Sequence, residues 1–84
     1  MEIKFCDYIK SIKENFKKGD THLFLRFAEK DIHLIQSIHK NHVFTIEISE
    51  SRWEEVKWDI NDDEKVYPVS VFEVIKLYKK TKLN

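Results

Sequence analysis

The spacing of apolar residues changes from a helical to an alternating period near Thr21, and this change most constrains the fold. Residues 2–18 have one apolar stripe at helical spacing, formed by Phe5, Ile9, Ile12 and Phe16. Gly19 follows and suits the residue that ends a helix, although the first turn of the segment could instead be extended. Beyond Thr21 apolar residues recur at every second position, as in strands. The sequence therefore predicts an α+β fold.

Three alternating runs beyond Thr21 predict an antiparallel β-meander. They comprise residues 21–27, 32–38 and 43–48. A four-residue connection between the first two runs would pair Phe27 with Ile32 and Leu25 with Leu34. The competing interpretation is a helix over 28–39, but the β-branched residues of this segment favour a strand.

A three-residue loop at 39–41 would join the second and third runs. It pairs Ile32 with Ile48, Leu34 with Ile46 and Ile38 with His42. Both turns place the same apolar residues on one face of the sheet, so we expect both helices to pack there. The predicted core comprises Ile9, Ile12, Leu25, Leu34, Ile46 and Ile75.

The segment after Ser49 allows two interpretations. Val56, Trp58 and Ile60 alternate, which favours a fourth strand, whereas a capping-box pattern at 51–54 would suit a short helix. Pro68 is a plausible first-turn residue of a second helix with an apolar stripe. That stripe consists of Val71, Phe72, Ile75 and Tyr78. Residues 1–84 are thus predicted to form one domain: a helix, a three- or four-stranded antiparallel meander, and a second helix, with both helices on one sheet face.

Composition removes several classes of protein. The 84 residues include one cysteine and one glycine, so no intramolecular disulfide and no glycine-rich phosphate loop is expected. Apolar runs are too short to span a membrane, and we expect a cytoplasmic protein. Thirteen Lys against two Arg, with ten Ile and one Ala, indicate AT-rich coding DNA.

Catalytic and metal-binding patterns are not found. In the predicted register the four histidines and Cys6 do not bring three ligands together, so neither a metal nor a cofactor is expected. Cys6 resembles a small apolar residue and has no evident base beside it. We therefore expect a protein that is not an enzyme.

Two surfaces are candidates for binding a protein partner. The first is the sheet face predicted to be exposed, where Phe24 and Ile35 would form an apolar spot beside Arg26 and His33. The second is the stretch 47–64, which carries eight acidic and two basic side chains. Its candidate contact residues, suited to a basic groove on another protein, are Trp53, Glu54, Glu55, Asp59, Asp62 and Asp63.

A direct nucleic-acid contact is the less favoured alternative. It would use lysines of the two predicted helices, namely Lys10, Lys13, Lys17, Lys76, Lys79 and Lys80. Proteins that bind single-stranded nucleic acid interleave aromatic and basic residues on one strand face. This sequence does not show that arrangement.

In length, composition and lack of catalytic motifs the chain is similar to small phage or mobile-element proteins that block a host enzyme, including anti-CRISPR proteins. This similarity covers no motif. It implies an inhibitor or adaptor of a cytosolic host enzyme, for example a nucleic-acid-processing enzyme with a basic groove.

Overall fold

The computed structural model describes residues 1–17, 19–26, 31–48 and 53–82. Its elements are β1 (Ile3–Lys4), α1 (Phe5–Ile12), β2 (Leu23–Arg26), β3 (Asp31–Ile38), β4 (His42–Ile48), β5 (Trp53–Asp59), β6 (Lys65–Val69) and α2 (Val71–Lys82). The six strands form one antiparallel sheet in the order β1-β6-β2-β3-β4-β5. The α+β class is therefore confirmed, with more strands than the three or four predicted.

The additional strands are β1 and β6. Ile3 pairs with Val66, so the extended alternative for the first residues of the chain is the one observed. Pro68, expected in a helix, lies in β6 opposite Phe24. β1 pairs only with Lys65 and Val66, so the outer side of β6 at Pro68 has no strand partner in the described chain; proline is tolerated at such an edge. α2 therefore begins after β6, at Val71.

The first helix is shorter than its apolar stripe predicts. α1 ends at Ile12, and Gly19, with φ of 101°, lies in a later turn instead of ending the helix. The start of α1 is fixed by the chain around β6. The backbone N–H groups of Phe5 and Cys6 donate to the carbonyl oxygens of Glu64 and Asp62, both at 2.8 Å. These bonds satisfy donors that the first turn of a helix leaves without partners.

The predicted pairing of β3 with β4 is confirmed at Ile32–Ile48 and Leu34–Ile46. A register shift between Ile35 and Ser37 then pairs Ile38 with Val43, so the predicted Ile38–His42 pair is wrong.

The predicted pairing of β2 with β3 is wrong by two residues, since Leu25 pairs with Ile32 and not with Leu34. Phe27 and the turn residues 28–30 lie outside the described residues. A shift of two leaves the face of each residue unchanged. β5 confirms the strand interpretation of 53–59, while the first two residues of the capping-box pattern, 51 and 52, lie outside the described residues.

The sheet face that α1 covers is the opposite of the predicted one. Phe5, Tyr8 and Ile9 of α1 pack against a set of buried strand residues. These are Phe24, Ile35, Val43, Trp58 and Val66.

Of the predicted core, Ile9 is confirmed as buried and Ile12 packs against the cluster. The prediction is wrong for the remaining four residues. Leu25, Leu34 and Ile46 lie on the other face of the sheet and are half-exposed, and Ile75 of α2 is exposed. The predicted packing of α2 on the sheet is not confirmed.

Candidate functional site

The contact surface predicted around Phe24 and Ile35 lies inside the molecule. Phe24 and His33 are 0% exposed and Ile35 is 2% exposed. The Phe24 ring stacks on His33 at 5.2 Å between centroids and meets the Trp58 ring edge-on at 5.5 Å. The prediction that these side chains are exposed is wrong. They form the core beneath α1 and are not accessible to a partner in this fold.

Two polar side chains are buried in this core and are joined by hydrogen bonds. The indole Nε1–H of Trp58 donates to Oγ1 of Thr45 at 3.0 Å, and Oγ1 of Thr45 lies 2.9 Å from Nδ1 of His33. Nε2 of His33 is buried and has no hydrogen-bond partner among the described residues. Burial lowers the pKa of His33 to about 4, and the nearby charge of Arg26 acts in the same direction. We therefore assign a neutral, structural imidazole to this position.

Arg26, the fourth residue of the predicted surface, is half-buried and holds two parts of the fold together. Its Nε and Nη2 donate to the two carboxylate oxygens of Glu64 at 2.9 and 3.1 Å. Its guanidinium carbon lies 5.0 Å from the centre of the Trp58 ring. This two-point ion pair connects β2 to the chain that enters β6 and has the geometry of a structural contact.

The acidic candidate residues lie at one edge of the sheet. β5 is an edge strand, paired only with β4 among the described strands. Glu54, Glu55, Asp59 and Asp63 are exposed, Asp62 is half-exposed, and these five residues together are called the acidic edge below. Trp53 begins β5 and is 70% exposed. The structure thus brings these six predicted residues together along one strand and the turn that follows it.

The turn after β5 is fixed by two of these carboxylates. Oδ1 of Asp59 accepts a hydrogen bond from the N–H of Asn61, and Oδ1 of Asp62 accepts one from the N–H of Glu64, both at 2.8 Å. Such side-chain-to-backbone bonds two residues apart define Asx turns. Part of the acidic edge is therefore already ordered in the single chain, which reduces the entropy that binding a partner would cost.

A second surface, which the sequence assigned to the core, is the face of the sheet opposite α1. It is called the open face and consists of Leu25, Ile32, Leu34, Ile46 and Ile48, all half-buried. Leu23, which pairs with Leu34 on the same face, is only 7% exposed, so the face is less open at the end near Val69. Tyr67 and Trp53 border it on either side, since Tyr67, Leu25, Ile32, Ile48 and Trp53 follow one another as register partners. The apolar alternation identified these residues, but it did not show that α1 would leave them uncovered.

The described part of the chain also bears on metal binding, nucleic-acid binding and membrane insertion. There, no group of three or more His, Cys, Asp or Glu side chains is placed to hold a metal ion. Lys10, Lys13 and Lys17 are exposed in or after α1 and Lys76 is exposed on α2, while the side chains of Lys79 and Lys80 lie outside the described residues. No helix in the described ranges is both long and apolar enough to cross a membrane.

Comparison with protein-family models, with curated proteins and with solved structures finds no match for this chain. Functional inference therefore depends on the geometry of the acidic edge and the open face.

Proposed function

We propose that this protein is a non-enzymatic binding module that attaches to a basic groove of another protein through its acidic edge. It would act as an inhibitor or adaptor of a cytosolic host enzyme, such as one that processes nucleic acid. The observation that supports this most directly is the exposure of Trp53 beside a row of exposed carboxylates. Exposed aromatic side chains are frequent binding hot spots, and surrounding charges direct the encounter.

The charges of β5 favour docking through side chains over addition of a strand. An edge strand offers unpaired backbone groups that another strand could pair with. Charged side chains at Glu54, Glu55, Lys57 and Asp59 oppose such pairing. A groove lined with lysine or arginine side chains would instead meet the carboxylates directly.

The similarity in size and composition to anti-CRISPR and other anti-defence proteins supports the same proposal. A basic groove is the surface through which many nucleic-acid-processing enzymes hold phosphates, and an acidic edge is complementary to it in charge. The proposal therefore commits to a protein partner.

Reversing two charges of the acidic edge, Glu54→Lys with Glu55→Lys, is expected to slow association with the partner. The rate constant should fall about tenfold at low salt, because exposed charges act mainly on the encounter. The partner is first captured from a low-GC host with the wild-type protein and identified by mass spectrometry. Association is then measured by surface plasmon resonance at several salt concentrations.

The matched control for this experiment is Glu2→Lys with Glu14→Lys, which changes the net charge equally at two exposed positions away from β5. The control should associate at close to the wild-type rate. Equal rates for all three proteins would refute the role of the acidic edge, and the absence of any stoichiometric protein partner would refute the function. A shift of DNA or RNA in a gel at micromolar protein would favour the nucleic-acid alternative.

Trp53→Ala is expected to weaken partner binding by about 2 kcal/mol or more, mainly through faster dissociation. The side chain is 70% exposed, so its removal should leave the circular dichroism spectrum unchanged. Tyr67→Ala is the matched control, since Tyr67 is an exposed aromatic at the opposite border of the open face. Equal affinities of Trp53→Ala and wild type would exclude Trp53 as an anchor.

A further inference from the structure

We propose that the open face binds a second copy of this chain, and that α2 of each copy packs on the open face of the other. This inference concerns the open face, which shares Trp53 and Glu55 at its border with the acidic side of β5, and it does not depend on the proposed function. It is argued from two apolar surfaces on one chain, each of which is partly exposed.

The first of these surfaces is the open face. Its five aliphatic residues lie on three neighbouring strands and are half-exposed, with Tyr67 and Trp53 as aromatic borders. Contiguous apolar areas of this kind on a single chain mark interaction sites more often than free surface.

The second surface is the apolar side of α2. Phe72 is 78% exposed, and Val71 and Ile75 are each 45% exposed. The side chains of α2 beyond Lys76 lie outside the described residues, and within the described chain α2 has no extensive contact with α1 or with any one strand. Short helices in water gain most of their stability from packing of an apolar face. Contact with another apolar surface would therefore stabilise α2.

The connection before α2 is shorter than is usual for a helix that turns back over its own sheet. Only Ser70 lies between the end of β6 and the start of α2. Ser70 caps the helix, since its Oγ accepts a hydrogen bond from the N–H of Glu73 at 3.2 Å. Connections of two to six residues are usual where a helix packs on the sheet that contains its neighbouring strand. The open face of another copy has no such restriction.

The accessible area of the single chain is larger than is usual for its mass. The chain exposes 6324 Å². A folded monomer of 10.2 kDa typically exposes about 5,300 Å², so the excess is about 1,000 Å². A stable interface buries about 800 Å² on each partner. The molecule is also elongated, with extents of 42, 24 and 21 Å.

The length and charge of α2 are compatible with packing on the open face of a second copy. The 12 residues of α2 span about 18 Å, enough to cross four strands of a sheet. α2 carries one acidic residue, Glu73, and four lysines: Lys76, Lys79, Lys80 and Lys82. β5, which borders the open face, has Glu55 on that side because Glu55 pairs with Ile46, and strand alternation places Lys57 and Asp59 on the same side. A basic helix beside this border is complementary to Glu55, while Glu54 points to the other side of the sheet.

Sedimentation equilibrium of the full chain tests the proposal. Wild-type protein should be dimeric at about 100 μM and dissociate on dilution, as expected for an interface of this size. Leu34→Lys on the open face and Phe72→Lys on α2 should each raise the dimer dissociation constant on the order of 100-fold, since each places an unpaired charge in an apolar contact. Asn15→Lys, the same change at an exposed position after α1, should leave the constant unchanged.

Folding of the variants is checked by circular dichroism at a concentration where all are monomeric. Phe72→Lys keeps the test decisive, because a side chain that is 78% exposed in the single chain can be replaced without loss of the fold. A wild-type chain that remains monomeric at 100 μM and above would overturn the proposal. A Phe72→Lys protein that dimerises as strongly as wild type would do the same.

The arrangement of the two copies is tested by paramagnetic broadening between them. A nitroxide is attached at Lys76→Cys of an unlabelled chain carrying Cys6→Ser, and this chain is mixed with ¹⁵N-labelled wild type. Amide signals of Leu34 and Ile46 should broaden, whereas those of Tyr8 and Ile9 beneath the other face should not. Broadening restricted to any other surface would overturn the exchange of α2. None of these measurements involves the acidic edge, so their failure is distinct from failure of the proposed function.

Discussion

Ile35→Ala is expected to lower the free energy of unfolding by about 2–5 kcal/mol, while Leu34→Ala, one position earlier in β3, should cost only about 1 kcal/mol. Ile35 is fully packed in the cluster beneath α1, so its truncation leaves a cavity. Leu34 is half-exposed on the open face, and water can enter the space that truncation leaves there. The same number of carbon atoms is removed in both variants, and only the sheet face differs.

Urea unfolding followed by tryptophan fluorescence measures both losses, since Trp58 is buried in the same cluster as Ile35. The measurement uses a few micromolar protein, so that dimerisation adds little to the difference in unfolding free energy between Leu34→Ala and wild type. The reverse order, with Leu34→Ala much the more costly variant, would mean that α1 covers the opposite face of the sheet.

The middle of the sheet was predictable from the sequence because pattern and turn length agree there. Alternation over β3 and β4 and a short loop at 39–41 give the pairs Ile32–Ile48 and Leu34–Ile46, although not the bulge that changes the partner of Ile38. The sequence pattern is weaker for the strands β1 and β6. β1 has two residues and β6 contains Pro68, so neither has a strand pattern of its own, and each forms only because the other or β2 pairs with it.

The covered face was not predictable, because both faces of the sheet are largely apolar. The sequence assigns His33 to the exposed face, yet in the structure Nδ1 of His33 is hydrogen-bonded to Oγ1 of Thr45 inside the core, and Trp58 donates to the same oxygen. Which face α1 covers is decided by contacts distant in sequence. These are the pairing of Ile3 with Val66 and the bonds from the first turn of α1 to the chain before β6.

One of the two candidate surfaces was predictable from the sequence and the other was not. The cluster of acidic residues between 47 and 64 is a feature of composition, and the structure places its predicted residues together on β5 and the turn. The open face depends on where α1 packs, so the sequence assigned Leu34 and Ile46 to the core and Phe24 to the surface. Both assignments follow from the single choice of face.

Acid is expected to destabilise the fold through His33, by about 3 kcal/mol in total between pH 6.5 and pH 4. Burial and the charge of Arg26 lower the pKa of this group to about 4 in the folded chain, and Asp31 and Glu64 oppose the shift. In the unfolded chain the pKa returns to about 6.5. Between these two values the unfolded state binds more protons, so the free energy of unfolding decreases as the pH falls and is restored above about pH 6.5.

His33→Phe isolates this contribution. Phenylalanine fills a similar volume beside Phe24 and cannot take up a proton, so the variant should lose the part of the pH dependence that belongs to His33. Urea unfolding of both proteins at intervals from pH 4 to pH 7.5 gives the comparison, and carboxylate titration affects both curves alike. His39→Gln is the matched control at an exposed histidine and should follow the wild-type curve. Parallel curves for wild type and His33→Phe would show that the imidazole is not held neutral in the core. The hydrogen bond between Nδ1 of His33 and Oγ1 of Thr45 would then not hold the imidazole in its neutral form beneath α1.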